Sequence, residues 1–135
     1  MKLAIIAPVI VAVLVAVFAF STQDTAQQTE TTTQSSYSFA SIEKSLENGD
    51  GALIDVRTPQ EYAEGYIAGA SLLPLQSIEQ GATPEVEKDT TIYLYCRTGN
   101  RSAVATNILR DAGYEVVDLG GLQDVTSIGG QVVTE

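Results

Sequence analysis

Residues 91–113 read TIYLYCRTGNRSAVATNILRDAG, and this stretch decides the fold class. Thr91-Ile92-Tyr93-Leu94-Tyr95 is β-branched and aromatic throughout, which suits a buried strand. Arg101–Ala112 places Val104, Ala105, Ile108, Leu109 and Ala112 at helical spacing, with Gly113 as its stop. Between them lies a short loop, Cys96–Arg101. Glu115–Leu119 reads as a further strand, followed by Gly120-Gly121. Strand, loop, helix, strand is the signature of a parallel α/β sheet.

Working toward the amino end, Ala52-Leu53-Ile54-Asp55-Val56 is a mostly apolar strand of the buried parallel kind. Ser38 is placed to cap a helix over Phe39–Asn48, with Ile42 and Leu46 on one face and Gly49 ending it. Thr58 caps a second helix over Gln60–Glu64, with Pro59 suited to its first turn and Gly65 as its stop. Ala70–Leu73 is a short strand ended by Pro74, and Gln80–Thr90 is an acidic loop after about one turn of helix.

Three materials make up the 135-residue chain. Leu3 to Phe20 is 18 residues without a charge, a helix of about 27 Å if helical, just short of the ~30 Å hydrocarbon layer. Val17-Phe18-Ala19 and Ala19-Phe20-Ser21 carry the small-residue pattern of a signal peptidase site, so residues 1–20 read as a signal peptide, with a retained anchor as the alternative. Lys2 is the sole positive side chain before Lys44, which keeps the amino end inside and exports the chain beyond Phe20. In a host with two membranes, the compartment is the periplasm. Residues 21–36 hold six Thr, four Gln and three Ser and read as a disordered spacer. Residues 37–135 are expected to fold as one domain, with 15 acidic and 6 basic side chains.

Composition removes most chemistries. The chain has no His and one Cys, with a formal net charge of -10. Imidazole-based triads, zinc sites and internal disulfides are gone, and nucleic acid, which needs a basic face, is excluded as a partner. The surviving chemistry runs through Cys96, directly after the best strand and before a helix start, where ligands of parallel sheets bind. The loop around Gly99 can turn backbone N–H groups inward as an anion nest, and Arg97 and Arg101 add positive charge. These groups favour thiolate over thiol, so Cys96 should titrate below the free value of ~8.5. A small dianion would be held against the sulfur by the same field. The bland alternative is a buried strand-end cysteine with Arg97 solvated and Arg101 paired to a carboxylate. Asn100-Arg101-Ser102 also matches a glycosylation sequon, a match by chance on this reading.

At these residues the chain resembles the rhodanese family. The carriers are Leu53–Tyr62 (LIDVRTPQEY), Gly65–Ala70 (GYIAGA), Cys96–Arg101 (CRTGNR) and Gly113-Tyr114 with Gly120-Gly121-Leu122, in the family's order and spacing. The resemblance implies an α/β fold with a central five-stranded parallel sheet flanked by helices. It implies a thiosulfate sulfurtransferase with Cys96 as catalytic nucleophile and Arg97, Thr98, Gly99, Asn100 and Arg101 cradling the substrate. Cys96 would take sulfane sulfur as a persulfide and pass it to cyanide, a thiol or a dithiol, with no cofactor and no metal. Asp55 and Arg57 look like the family's structural pair, with Glu61 as Arg57's expected partner, all three in scaffold roles. The chain departs from the family in having Tyr66 and Ala68 where Gly-His-Ile-Pro-Gly-Ala is frequent, and Val125 near a frequent Trp. A monomer is expected, touching membrane only through residues 3–20 if uncleaved. A persulfide carrier or binding module with little turnover stays open, as does a phosphatase or arsenate reductase. The latter two place the loop arginine six positions after the cysteine, whereas Arg101 is five after Cys96.

Overall fold

The structure, a computed structural model, describes residues 38–135. The expected signal peptide at residues 1–20, the spacer at 21–36 and the domain start at Tyr37 lie outside the described residues. Helix α1 (Phe39–Asn48) leads into strand β1 (Gly51–Asp55), then α2 (Pro59–Ala63), β2 (Tyr66–Ile67), β3 (Ala70–Leu72) and α3 (Leu75–Glu79). Strand β4 (Thr91–Cys96), α4 (Asn100–Asp111), β5 (Glu115–Gly121), α5 (Leu122–Ser127) and β6 (Val132–Val133) complete the order. The central sheet has four strands in the order β3-β1-β4-β5, all parallel.

The alternation along β4 sets the layers. Ile92, Leu94 and Cys96 point into one core, with Ile54, Val56, Ala105 and Leu109. Tyr93 and Tyr95 point into the other, with Phe39, Ile42, Leu53 and Val125. Successive side chains of a strand face opposite sides, so a strand buried on both faces must be apolar throughout, as this one is. Helices α3 and α4 supply one covering layer, α1 and α5 the other. Each fully buried aliphatic side chain stabilises the fold by roughly 1.5–3 kcal/mol relative to exposure.

Local chemistry explains the helix ends. Gly49 sits at φ 78° in the left-handed region and its N–H donates to the carbonyls of Leu46 and Ser45. Thr58 and Glu61 form a reciprocal capping box around Pro59. Ser38 holds the cap position of α1, but its side chain makes no capping bond; its carbonyl accepts from Ser41 N–H and Oγ.

Three expectations need correction. The sheet has four strands, not five: β2, the neighbour of β3 in sequence, turns away at Gly69 (φ 86°) and pairs antiparallel with β6. Ala68 N–H donates to Gln131 O at 2.8 Å and extends that ribbon, and Tyr95 Oη accepts from Ile67 N–H at 2.9 Å, tying it to the sheet. The buried face of α4 is Ser102, Ala105, Thr106 and Leu109, whereas Val104 is 43 % exposed. The helix is rotated so that its first turn aims Ser102 at the end of β4. Residues 122–127, for which the sequence suggests no element, form α5, which buries Val125. No helix among the described residues is long and apolar enough to cross a membrane.

Candidate active site

Cys96 closes β4 and is fully buried. The chain then turns through Gly99, at φ 94°, which caps α4. A positive φ is cheap for glycine alone, and here it swings Gly99 N–H back onto Cys96 Sγ at 3.0 Å. Ser102 Oγ lies 3.7 Å from the same sulfur and donates to Gly99 O at 3.0 Å or Gly120 O at 3.3 Å. Burial opposes ionisation of the thiol. The backbone N–H and hydroxyl of Ser102 and the backbone N–H groups of Thr98 and Gly99 outweigh it, holding Cys96 below its ordinary value. The stabilisers are therefore hydrogen bonds more than guanidinium charge, which corrects the weight that sequence alone places on the arginines. In the sequence Ser102 stands out only as part of a sequon; its burial inside the loop's curl cannot be read from spacing.

The loop is braced from behind by β5. Between Leu94 and Cys96 the β4–β5 register shifts by one residue, so β5 bulges, with Gly120 at φ 83°. Gly121 forms a bridge with Thr98, and Leu122 N–H donates to Arg97 O at 3.3 Å. A Cβ on Gly121 would sit 2.8 Å from Arg97 O, so the approach requires glycine. Asp124 Oδ2 accepts from Gly121 N–H at 2.6 Å and fixes the start of α5.

The charged groups pair differently from expectation. Glu61 is the partner of Arg101, not of Arg57: the Arg101 fork donates to both carboxylate oxygens at 2.7 and 2.8 Å. Arg97, 64 % exposed, reaches the same carboxylate at 3.4 Å. Thr58 N–H and Oγ hold Glu61 at 3.0 and 3.1 Å. Hydrogen bonds from Arg101 above all keep the Glu61 carboxyl far below the usual carboxylate range, and Glu61 in turn raises Arg101. Arg57 instead donates to Asp55 through Nε and Nη2, the latter at 2.6 Å, and to Gly65 O at 2.6 Å, with its guanidinium 5.8 Å above the Tyr95 ring. Burial lowers the Arg57 pKa, but Asp55 outweighs it. Thr98 and Asn100 are exposed on the outer rim.

The structure thus brings Cys96, Arg97, Thr98, Gly99, Asn100 and Arg101 into one curl and places Glu61 against its two arginines. Asp55 and Arg57 stand one layer behind. Beside Arg101 a cavity of about 370 Å³ is lined by Arg57, Thr58, Pro74, Gln76 and Ser77. A second, of about 480 Å³, lies along β3 and the 82–86 loop, away from the sulfur. Among the described residues no cluster of His, Cys, Asp and Glu could hold a metal ion. Chemically, the arrangement can hold a thiolate and a small anion side by side.

Comparison with known proteins points the same way. The family described as "Rhodanese-like domain" matches residues 38–127. The chain is 39 % identical over 74 residues to the thiosulfate sulfurtransferase PspE of Escherichia coli, an alignment covering 53 % of this chain and 71 % of that one. Some other curated relatives are much longer, the match spanning 18 % of one of them, an adenylyltransferase and sulfurtransferase of Ogataea parapolymorpha. Among solved structures, a rhodanese-related protein from Thermoplasma volcanium superposes with a TM-score of 0.59 at 31 % identity, covering 71 % of this chain and 94 % of that one. A solved structure described as an E. coli rhodanese with anions gives 0.55 at 34 % identity, covering 63 % of this chain and 99 % of that one.

Proposed function

From the premise that the chain belongs to the rhodanese-like domain family, we propose that it is a sulfurtransferase working through a Cys96 persulfide, with thiosulfate or a related sulfane compound as donor. The observation that carries the reading is Gly99 N–H directed at a Cys96 sulfur whose pKa is depressed. Cys96 thiolate attacks the outer sulfur of thiosulfate; a new S–S bond forms, the S–SO3 bond breaks, and sulfite leaves with its electron pair. Loop N–H groups, with Arg97, Thr98, Asn100 and Arg101 around them, hold the anion and the charge on the leaving group. Cyanide, a thiol or a dithiol then takes the outer sulfur and regenerates the thiolate, a double-displacement cycle without cofactor. The relative PspE bears the name thiosulfate sulfurtransferase, which supports thiosulfate as the first donor to try.

The full chain, purified in detergent and incubated with thiosulfate, is expected to gain one sulfur atom in its intact mass. Cyanide should remove it as thiocyanate, and Cys96→Ser should gain none. A folded protein that stays at its original mass, with a thiol that still alkylates, overturns thiosulfate as donor. A second reading, a persulfide carrier with slow turnover, is favoured by the complete burial of Cys96; stoichiometric loading with slow thiocyanate release identifies it. Export through residues 3–20 belongs to the same proposal, and a fused reporter active only outside the cytoplasm tests it.

A further inference from the structure

Both cationic side chains of the loop converge on one carboxylate. Glu61 takes the whole Arg101 fork at 2.7 and 2.8 Å and touches Arg97 at 3.4 Å. Its side chain is 14 % exposed, and Thr58 fixes it from the start of α2. With its pKa held so low, it stays ionised across the working pH range. Two guanidinium groups set against the Glu61 carboxylate and the Cys96 thiolate leave no net side-chain charge at the loop. Each negative charge on a donor is therefore repelled by Glu61, so a dianion is disfavoured more than a monoanion and also competes with Glu61 for the Arg101 fork.

We propose that Glu61 is a specificity-determining counter-charge that biases the loop toward monoanionic sulfane donors, such as organic thiosulfonates, over dianionic thiosulfate. The inference rests on the sulfurtransferase reading. The transfer balances in the same way for both donors: with methanethiosulfonate the Cys96 thiolate bonds to the outer sulfur, the S–SO2 bond breaks, and methanesulfinate leaves with the electron pair. The two donors differ by a methyl group in place of one charged oxygen, so their ratio reads charge and little else.

The experiment measures kcat/KM for thiosulfate and methanethiosulfonate with the full chain and with Glu61→Gln, which keeps an oxygen for Thr58 and Arg101. The thiosulfate-to-methanethiosulfonate ratio is expected to rise at least about fivefold in the variant, the scale of one unit charge about 4 Å away under full water screening. Arg97→Gln, at an exposed side chain, should move the ratio the other way by a similar factor, and serves if Glu61→Gln does not fold. Equal changes for both donors overturn the proposal and leave Glu61 as a positioning residue for the loop. If neither donor transfers sulfur to the wild type, the sulfurtransferase reading is the one that fails. The counter-charge is then read from Cys96 alkylation by iodoacetate relative to iodoacetamide, which Glu61→Gln should raise and an unchanged ratio would refute.

Discussion

Ser102 is the side chain whose removal should change the sulfur most without disturbing the fold. It is fully buried beside Cys96 Sγ, and a hydrogen bond to a charged group contributes about 1.5–3 kcal/mol. Ser102→Ala should therefore slow Cys96 alkylation by iodoacetamide at neutral pH about tenfold and move its pH profile upward. An unshifted profile would show that the backbone N–H groups alone hold the thiolate. The folded-state pKa of Cys96 lies below that of an unfolded thiol. Its contribution to stability is thus fully present above about pH 8.5 and is lost as pH falls through the folded value. Asp55 is the second residue of this kind. Asp55→Ala leaves the Arg57 guanidinium buried without its partner, so urea denaturation should show a loss of about 3–5 kcal/mol.

Among the elements, α2 and the β2–β6 ribbon carry the next expectations. Glu61 caps α2 and pairs with Arg101 from one position. Its depressed pKa makes that contribution present above about pH 4.3, the unfolded value, and lost only as pH falls through a far lower folded one. Wild type and Glu61→Gln should therefore differ in melting temperature at pH 7 and converge in strong acid. In the ribbon, Ala68 makes a bond that the proline frequent in the family cannot, because proline has no N–H. Ala68→Pro should cost about 1 kcal/mol and raise amide exchange at Ile67 and Val132. Tyr66 marks the same departure: its ring stacks on Tyr62 at 4.1 Å between centroids, packing a local aromatic pair at the ribbon's root.

At the scale of the whole molecule, long-range contact separates what the sequence discloses from what it conceals. The unbroken apolar run of β4 announces a strand covered on both faces, and Thr58-Pro59 and Gly49 announce helix ends, because those signals are local. Leu109 is readable as core, and Leu109→Ala should cost about 2–5 kcal/mol in denaturation experiments. The rotation of α4, by contrast, turns Ser102, Ala105, Thr106 and Leu109 inward and Val104 outward, although Val104 looks as apolar as Leu109. The pairing of Glu61 with Arg101 spans forty positions, and nothing in the spacing distinguishes it from a pairing with Arg57. Residues 122–127 show too short a pattern for a helix; their start is fixed by Asp124 reaching back to Gly121. The ribbon exists only because β6 returns to β2 from the far end of the domain.

The bulge in β5 has a consequence for anyone who would borrow this chemistry. The curl CRTGNR is shaped from within by Gly99 but leans on the corner between β5 and α5, where Gly120 lies behind Gly99 and Gly121 and Leu122 meet Thr98 and Arg97. Transplanted alone onto a foreign strand–helix junction, the hexapeptide would lose its back wall, and the sulfur its aligned donors. The portable unit is two pieces, the loop and the double-glycine corner with Asp124, carried together at the one-residue offset that lets them touch.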